Sequence, residues 1–360
     1  MKCIGVDYHK KFSYATMIDM ETGEMQARRL ENTAEDIRAF IGEGADVRAV
    51  MEAGRCYGWY YDMLCGIVDD VTLAHPLKVK AIASARIKND RIDSKILAQL
   101  LAADLIPEAH GRSAENRQAL AVVRQRAFWV DMRTRFKNRV HDVIDRQGGL
   151  VGRPQCSDLF GKAGRVWLES VVLPSSERRL LDELLAGIDF TIRQIRASDR
   201  RIKQLFDADP VAQRLSTIPG IGIFFAVLIR LEIDDVRRFD GPEKLHAYAG
   251  LIPSTHQSGD TLRHGKLTKQ GNRWLRWAMI EAVGPAVRSN WQLKQKHERQ
   301  KERKNDSRKA NVIMGRHLLT LVYRVWTQER EFEVYRKDHV KSESPSAPYN
   351  GASCSRSSVG

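Results

Sequence analysis

No apolar stretch of this 360-residue chain approaches the roughly 20 residues that a membrane-spanning helix needs. A membrane partner is therefore not expected. Cysteine is scarce, with five residues at Cys3, Cys56, Cys65, Cys156 and Cys354. That odd, scattered set excludes a disulfide framework and offers no zinc-ligand spacing, and it predicts reduced cytosolic thiols. The first residues run straight into a strand-like segment without the pattern of a signal peptide, so a cytoplasmic location is expected. The sequence shows no zinc-finger or basic-zipper pattern.

Negative charge is also in short supply. Lys+Arg number 59 against 45 Asp+Glu, a formal net charge of +14. Such an excess favours a polyanionic partner, nucleic acid above all. It is concentrated in runs. Residues 112–146 hold nine Lys or Arg against four acids, 261–280 five against none, and 286–316 ten against three. A single run of this kind is usually a solvated helix face. Three runs in one chain point to phosphate contacts that release counterions.

Against this basic background, four acids stand in an informative arrangement. Asp7 ends the apolar run Ile4-Gly5-Val6, and Glu52 ends Val47–Met51. Asp90 and Asp93 open a helix at i, i+3, so they share one face. Carboxylates from two strand ends and one helix start can converge at the rim of a sheet. There they repel one another until cations neutralise them. Hard oxygen donors of this kind suit Mg²⁺ or Mn²⁺, and paired ions clamp both the attacking and the leaving oxygen of a phosphodiester. The structural alternative for Asp90 is a plain N-cap of the helix through Leu101.

The surrounding pattern predicts a fold. Residues 4–7 and 12–19, a turn at Glu21-Thr22-Gly23-Glu24, and Met25 to Leu30 read as a three-stranded meander. A helix over about 33–41, a strand over 47–52, a helix over 59–68 and a strand over 71–74 follow. A meander followed by alternating helices and strands is the order of an RNase H-like mixed sheet.

The middle of the chain reads as helical. Leu181, Leu185, Ile188, Ile192, Ile195, Asp199, Ile202 and Phe206 step by alternating fours and threes, with one polar interruption. That is a heptad seam, and it predicts a long helical coiled-coil arm. Beyond Pro210, Ile218-Pro219-Gly220-Ile221-Gly222 joins two helical segments by a tight glycine turn. It resembles a helix-hairpin-helix, whose turn amides meet a phosphate without reading bases; a glycine required only for close helix packing accounts for it equally. Next comes Gly250-Leu251-Ile252-Pro253-Ser254-Thr255-His256-Gln257-Ser258-Gly259, then a basic stretch carrying Lys266, Lys269, Asn272, Arg273 and Arg276. Trp129, Phe136, Trp274, Trp277 and Trp291 lie among the basic residues, as core rings or as platforms for unpaired bases.

Lys88-Asn89-Asp90-Arg91-Ile92-Asp93-Ser94-Lys95, the acids Asp7 and Glu52, and the block from Tyr248 to Arg273 closely resemble the transposases of the IS110 family of bacterial insertion sequences. The resemblance extends to about residue 335. It implies a RuvC-like domain whose Asp-Glu-Asp-Asp metal tetrad falls on Asp7, Glu52, Asp90 and Asp93. It also implies a mainly helical C-terminal transposase domain in which Ser258 is the nucleophile, with Ser254 its nearest rival. Mg²⁺ (or Mn²⁺) would be the cofactor. Target and donor DNA, an element-encoded noncoding guide RNA and further copies of the chain, as a dimer or tetramer, would be the partners. Arg86, Lys88, Arg91, Lys266, Lys269, Asn272, Arg273 and Arg276 are the candidate nucleic-acid contacts.

The resulting expectation is an α/β plus α protein. It would comprise a RuvC-like domain over 1–110, a helical oligomerisation region over 111–210, a transposase domain over 211–340 and a Ser- and Pro-rich disordered tail over 341–360. The expected activity is cleavage and rejoining of DNA through a covalent phosphoserine. A RuvC-like nuclease that uses water, and a non-catalytic nucleic-acid scaffold, are the alternatives.

Overall fold

The computed structural model describes all residues except 43, 45, 55, 83–88, 149–152, 259–260, 269 and 333–360; for 255–258, 261–264 and 266 the description is of the backbone. The chain divides into two compact units, Met1–Gln118 and the residues from Ala119 onward.

The first unit is built on a five-stranded mixed sheet in the order β3-β2-β1-β4-β5. Strands β1 (Lys2–Tyr8), β2 (Phe12–Asp19) and β3 (Met25–Glu31) form the expected antiparallel meander. At its second turn Asp19 Oδ1 accepts from the amides of Glu21 and Thr22, and Gly23 takes a positive φ of 72°. Helix α1 (Ala34–Ile41), N-capped by Thr33, leads to β4 (Val47–Glu52). Helix α2 (Gly58–Cys65) leads to β5 (Asp70–Ala74), and both returning strands run parallel to β1. This topology matches the RNase H-like order read from the sequence. Helices α3 (Pro76–Ile82) and α4 (Asp90–Ala102) complete the unit.

Period-two alternation sorts the strand residues onto two faces. Ile4, Val6, Ala49, Met51 and Leu73 pack into one core with Tyr60 and Leu64 of α2. Cys3, Val50 and Ala74 face the other way and pack under Leu97, Leu100 and Leu101 of α4. Gly5 lies on this second face. A Cβ there would stand 2.2 Å from Ser94 O and 2.3 Å from Ala98 N. Glycine is what lets the α4 backbone lie directly on β1.

The second unit is mainly helical. Two 33-residue helices, α5 (Ala114–Arg146) and α7 (Ser175–Asp207), flank α6 (Lys162–Ser170). They run antiparallel, as shown by Arg126 against Asp199 (3.0 Å) near one end and Arg146 against Glu177 (3.2 Å) at the other. Leu181, Leu185 and Ile188 pack on Val140, Val143 and Ile144. Phe136 fills the space over Gly187. The buried stripe of α7 differs from the heptad reading in two places. Thr191 and Ser198 are buried, Ile192 is only half-buried, and Asp199 points outward to Arg126. Leu181, Leu185 and Ile188 pack in the hairpin core, whereas Ile202 packs with Ala212 and Leu215, so the buried stripe turns as the partner changes.

The rest of the unit has its own large core. It comprises α8 (Pro210–Leu215), α9 (Ile223–Ile233), α10 (Pro242–Tyr248), the hairpin of β6 (Pro253–Ser258) and β7 (Thr261–Leu267), then α11 (Arg273–Ser289), α12 (Trp291–Lys304) and α13 (Ser307–Thr327). Gly220 has φ 86°, and an added Cβ would meet Ala282 O at 2.3 Å. Close packing on α11 thus already requires that glycine. Gly222, in contrast, has open space around it. Trp274 packs against the core, whereas Trp277 is 37% exposed and Trp291 70%. Among the described residues no helix is long and apolar enough to cross a membrane, and Cys3, Cys56, Cys65 and Cys156 are free thiols.

Candidate metal-binding and catalytic site

Strand register determines where the first two acids go. Val6 is paired with Met51 across the parallel β1–β4 ladder, so Asp7 and Glu52 are the next neighbours at its end. Both follow residues that face the first core, so both side chains leave on the α4 side. The first turn of α4 supplies the other two. Its N-cap is Asn89, whose Oδ1 accepts from the Ile92 amide at 2.8 Å. Asp90 is therefore not spent as the cap. Asp90 and Asp93 sit in the first turn, where the helix macrodipole favours negative charge.

The close approach at Gly5 brings that turn to the end of β1. Ser94, one residue past Asp93, is buried and its Oγ lies 2.7 Å from Thr16 Oγ1 on β2. Ser94 Oγ also donates to Arg91 O at 3.1 Å. Burial raises the pKa of Asp7 above the usual carboxylate range; His9 opposes the shift, while the negative charges of Asp93 and Asp90 add to it. The electrostatics thus place Asp7, Asp90 and Asp93 in one cluster, and the register adds Glu52 beside Asp7.

The sequence reading gave no role to His9. Its Nε2 lies 3.2 Å from Asp7 Oδ2 and 3.2 Å from Asp90 Oδ1, and these three donor atoms are mutually within 4.8 Å. The ring lies against Phe12 at 5.0 Å between centroids. Its backbone is held by the Phe12 carbonyl and by Asn32 Nδ2. The available signal was the Asp-x-His spacing at the end of β1, where a hairpin turn folds residue 9 back toward residue 7.

This donor set fits a hard divalent cation. Carboxylate oxygens dominate it, and their mutual repulsion is the kind of cost a cation removes.

Ser258 is the last residue of β6, its Cα registered with Thr261 of β7. Ser254, its rival, lies in β6, and a Cβ at Gly265 would stand 2.3 Å from its Oγ. The remaining candidates have different surroundings. Arg91 and Arg273 are exposed. Asn272 caps α11, accepting from the amides of Trp274 and Leu275, and its Nδ2 donates to Glu232 Oε2 at 2.7 Å. Arg276 Nη1 donates to Ala249 O at 2.9 Å. Lys266 lies in β7. Arg86, Lys88 and Lys269 lie outside the described residues.

Among the described residues of the second unit, Glu232 is a fully buried charge. It is 0% exposed and sits in α9, where Arg124 Nη2 donates to Oε1 at 2.7 Å. Tyr248 OH donates to its backbone carbonyl at 3.2 Å. This network ties α5, α9, α10 and the start of α11 together just ahead of and behind the β6–β7 hairpin.

Comparison with known proteins agrees with this geometry. The profile of the Transposase IS116/IS110/IS902 family matches residues 212–298. A second profile, a transposase family of IS110 DEDD type, matches residues 4–147. The transposase for insertion sequence element IS1111A of Coxiella burnetii is 24% identical over 80% of this chain and 78% of its own length. A probable family 20 transposase of Pseudomonas aeruginosa is 25% identical over 79% of this chain and 84% of its own. A pilin gene-inverting protein of Moraxella bovis is 32% identical over 38% of this chain and 44% of its own. The first profile takes in the β6–β7 hairpin and the second takes in all four acids, and the chain belongs to the IS110 family of transposases, enzymes that cut and rejoin DNA.

Proposed function

We propose that this transposase breaks and reseals DNA through a phosphoserine bond at Ser258, with a divalent cation held by Asp7, Glu52, Asp90 and Asp93. The observation that carries the reading is the closeness of Asp90 and Asp93 to a half-buried Asp7, whose pKa is raised by desolvation first and by their charges in addition. When bound, Mg²⁺ or Mn²⁺ supplies positive charge to the phosphoryl oxygens. The chain's own groups do the rest. Ser258 Oγ attacks phosphorus and forms a new P–O bond. The bond to the neighbouring sugar oxygen breaks, and that oxygen leaves with the serine proton. Rejoining reverses the step, with a sugar hydroxyl of the new strand displacing the serine, so no ATP is consumed.

Arg91, Lys266, Lys269 and Arg273, with Arg86 and Lys88, meet phosphate charge. Asn272 and Arg276, bonded to Glu232 and Ala249, hold the start of α11, which carries Arg273. The open surroundings of Gly222 leave the glycine turn accessible to a phosphate. Sequence choice falls to an element-encoded RNA that pairs with target and donor DNA, which fits a broadly basic protein. The α5–α7 hairpin is the assembly arm, and several copies, a dimer or tetramer, build a composite site from the metal cluster and the serine. Divided this way, residues 1–110 hold the cation, 111–210 assemble the complex and 211–340 carry the serine.

Trapping tests the reading. Purified protein, Mg²⁺, the element's noncoding RNA and labelled junction DNA are run on a denaturing gel beside Ser258→Ala and Asp7→Ala. A labelled protein–DNA band lost in both variants is the expected result. Cleaved DNA without a covalent band, indifferent to Ser258→Ala, would instead mean a nuclease that uses water. A band that survives Ser258→Ala and disappears with Ser254→Ala would move the role to Ser254.

A further inference from the structure

Resting on the cation reading above, we infer that His9 is a ligand of the same ion, so that this site has one nitrogen among its oxygens and prefers Mn²⁺ to Mg²⁺. The argument is geometric. Ligand atoms about 2.1 Å from an octahedral cation lie about 3 Å apart across an edge of the octahedron. His9 Nε2 stands 3.2 Å from Asp7 Oδ2 and 3.2 Å from Asp90 Oδ1. Two equal distances near 3 Å match the edge spacing of donors around one octahedral centre.

The ring is also held in place ahead of any ligand. It lies on Phe12, its amide donates to Phe12 O at 3.0 Å, and its carbonyl accepts from Asn32 Nδ2 at 2.8 Å. Asn32 is itself tied to Ser13 on β2. A ring packed on Phe12 and carried by a backbone bonded at both its amide and its carbonyl loses little freedom on coordination. An imidazole in place of one oxygen shifts preference along the first-row series, away from Mg²⁺ and toward transition metals.

Full-length protein is titrated calorimetrically with Mn²⁺ and separately with Mg²⁺. Its Mn²⁺ complex is then examined by electron spin-echo spectroscopy for histidine nitrogen coupling. The wild type should show that coupling. His9→Ala should lose it, with Mn²⁺ affinity falling at least about tenfold and Mg²⁺ affinity much less. His9→Gln, which keeps a polar side chain over Phe12, provides the same comparison if the alanine variant melts early. Absence of nitrogen coupling in the wild-type complex, or its persistence in His9→Gln, would overturn the inference. Failure of the underlying cation reading looks different: wild type and Asp7→Ala would then bind Mn²⁺ equally or not at all.

Discussion

Thr16 Oγ1 and Ser94 Oγ face each other at 2.7 Å, both buried, across the gap between β2 and α4. This pair is the polar cross-tie of an otherwise apolar contact, and it stands one residue from Asp93. Ser94→Ala leaves the Thr16 hydroxyl buried without a partner, at a cost of about 1–3 kcal/mol. Thr16→Val should cost less, because Ser94 keeps its bond to Arg91 O. Urea unfolding of the two variants should show that order. The double variant should fall close to Thr16→Val, since no orphaned hydroxyl remains on β2.

Gly5→Ala should be more damaging than its size suggests. The new methyl has backbone atoms of α4 at 2.2 and 2.3 Å, and backbone cannot swing aside as a flexible side chain does. Overpacking of this kind costs about 1–3 kcal/mol or more. The displaced α4 carries Asp90 and Asp93 with it. Cation affinity, read by calorimetry, should therefore fall even at temperatures where the variant is fully folded.

Asp7 opposes its own fold when ionised. Its pKa is raised in the folded chain, so its contribution to stability is intact below the unfolded carboxylate value and is lost as pH rises through the folded one. In chelator at neutral pH, Asp7→Asn should melt above the wild type. That advantage should vanish on acidification below the ordinary aspartate range. Added Mg²⁺ should raise the wild-type melting temperature and leave Asp7→Asn nearly unmoved, while strand cleavage is lost in the variant. A wild type that melts at the same temperature with and without Mg²⁺ would count against cation binding by this cluster.

The Arg124–Glu232 pair should be costly to split. Glu232 is fully buried, and Arg124→Ala would take the guanidinium from Oε1 and leave the charge to its weaker neutral partner Asn272, at a cost approaching about 3–5 kcal/mol. Asn272→Ala removes a cap and a Glu232 partner together, and capping alone accounts for about 1 kcal/mol. Denaturant melts should place Arg124→Ala as the less stable of the two. If Asn272→Ala weakened DNA binding with an unchanged melt, its side chain would have a direct role at the phosphate instead.

Much of the first unit was legible from the chain. Period-two runs at residues 2–8, 12–19 and 47–52 carry their own faces, so Asp7 and Glu52 could be placed at strand ends before any geometry was known. The i, i+3 spacing of Asp90 and Asp93 likewise implied a shared helical face. His9 was not legible, because its approach to Asp90 joins residues 81 positions apart in sequence, and a lone histidine in a hairpin has no periodic signature. Asn89 as the cap of α4 was missed because Asp90 satisfies the same local preference. The heptad reading of α7 placed Leu181, Leu185, Ile188, Ile195 and Ile202 in the buried stripe. It misplaced Asp199 because a sequence repeat cannot show that the partner of α7 changes between Ile188 and Ile202.

The Asn89 cap separates the folding of α4 from its chemistry. The helix starts on an amide side chain, and the two carboxylates that follow it are not needed to begin the turn. A copy of the element that suffered a point change at Asp90 would still encode a well-folded protein with its basic surface intact. Decay of the active site would then leave behind silent, persistent protein rather than misfolded debris.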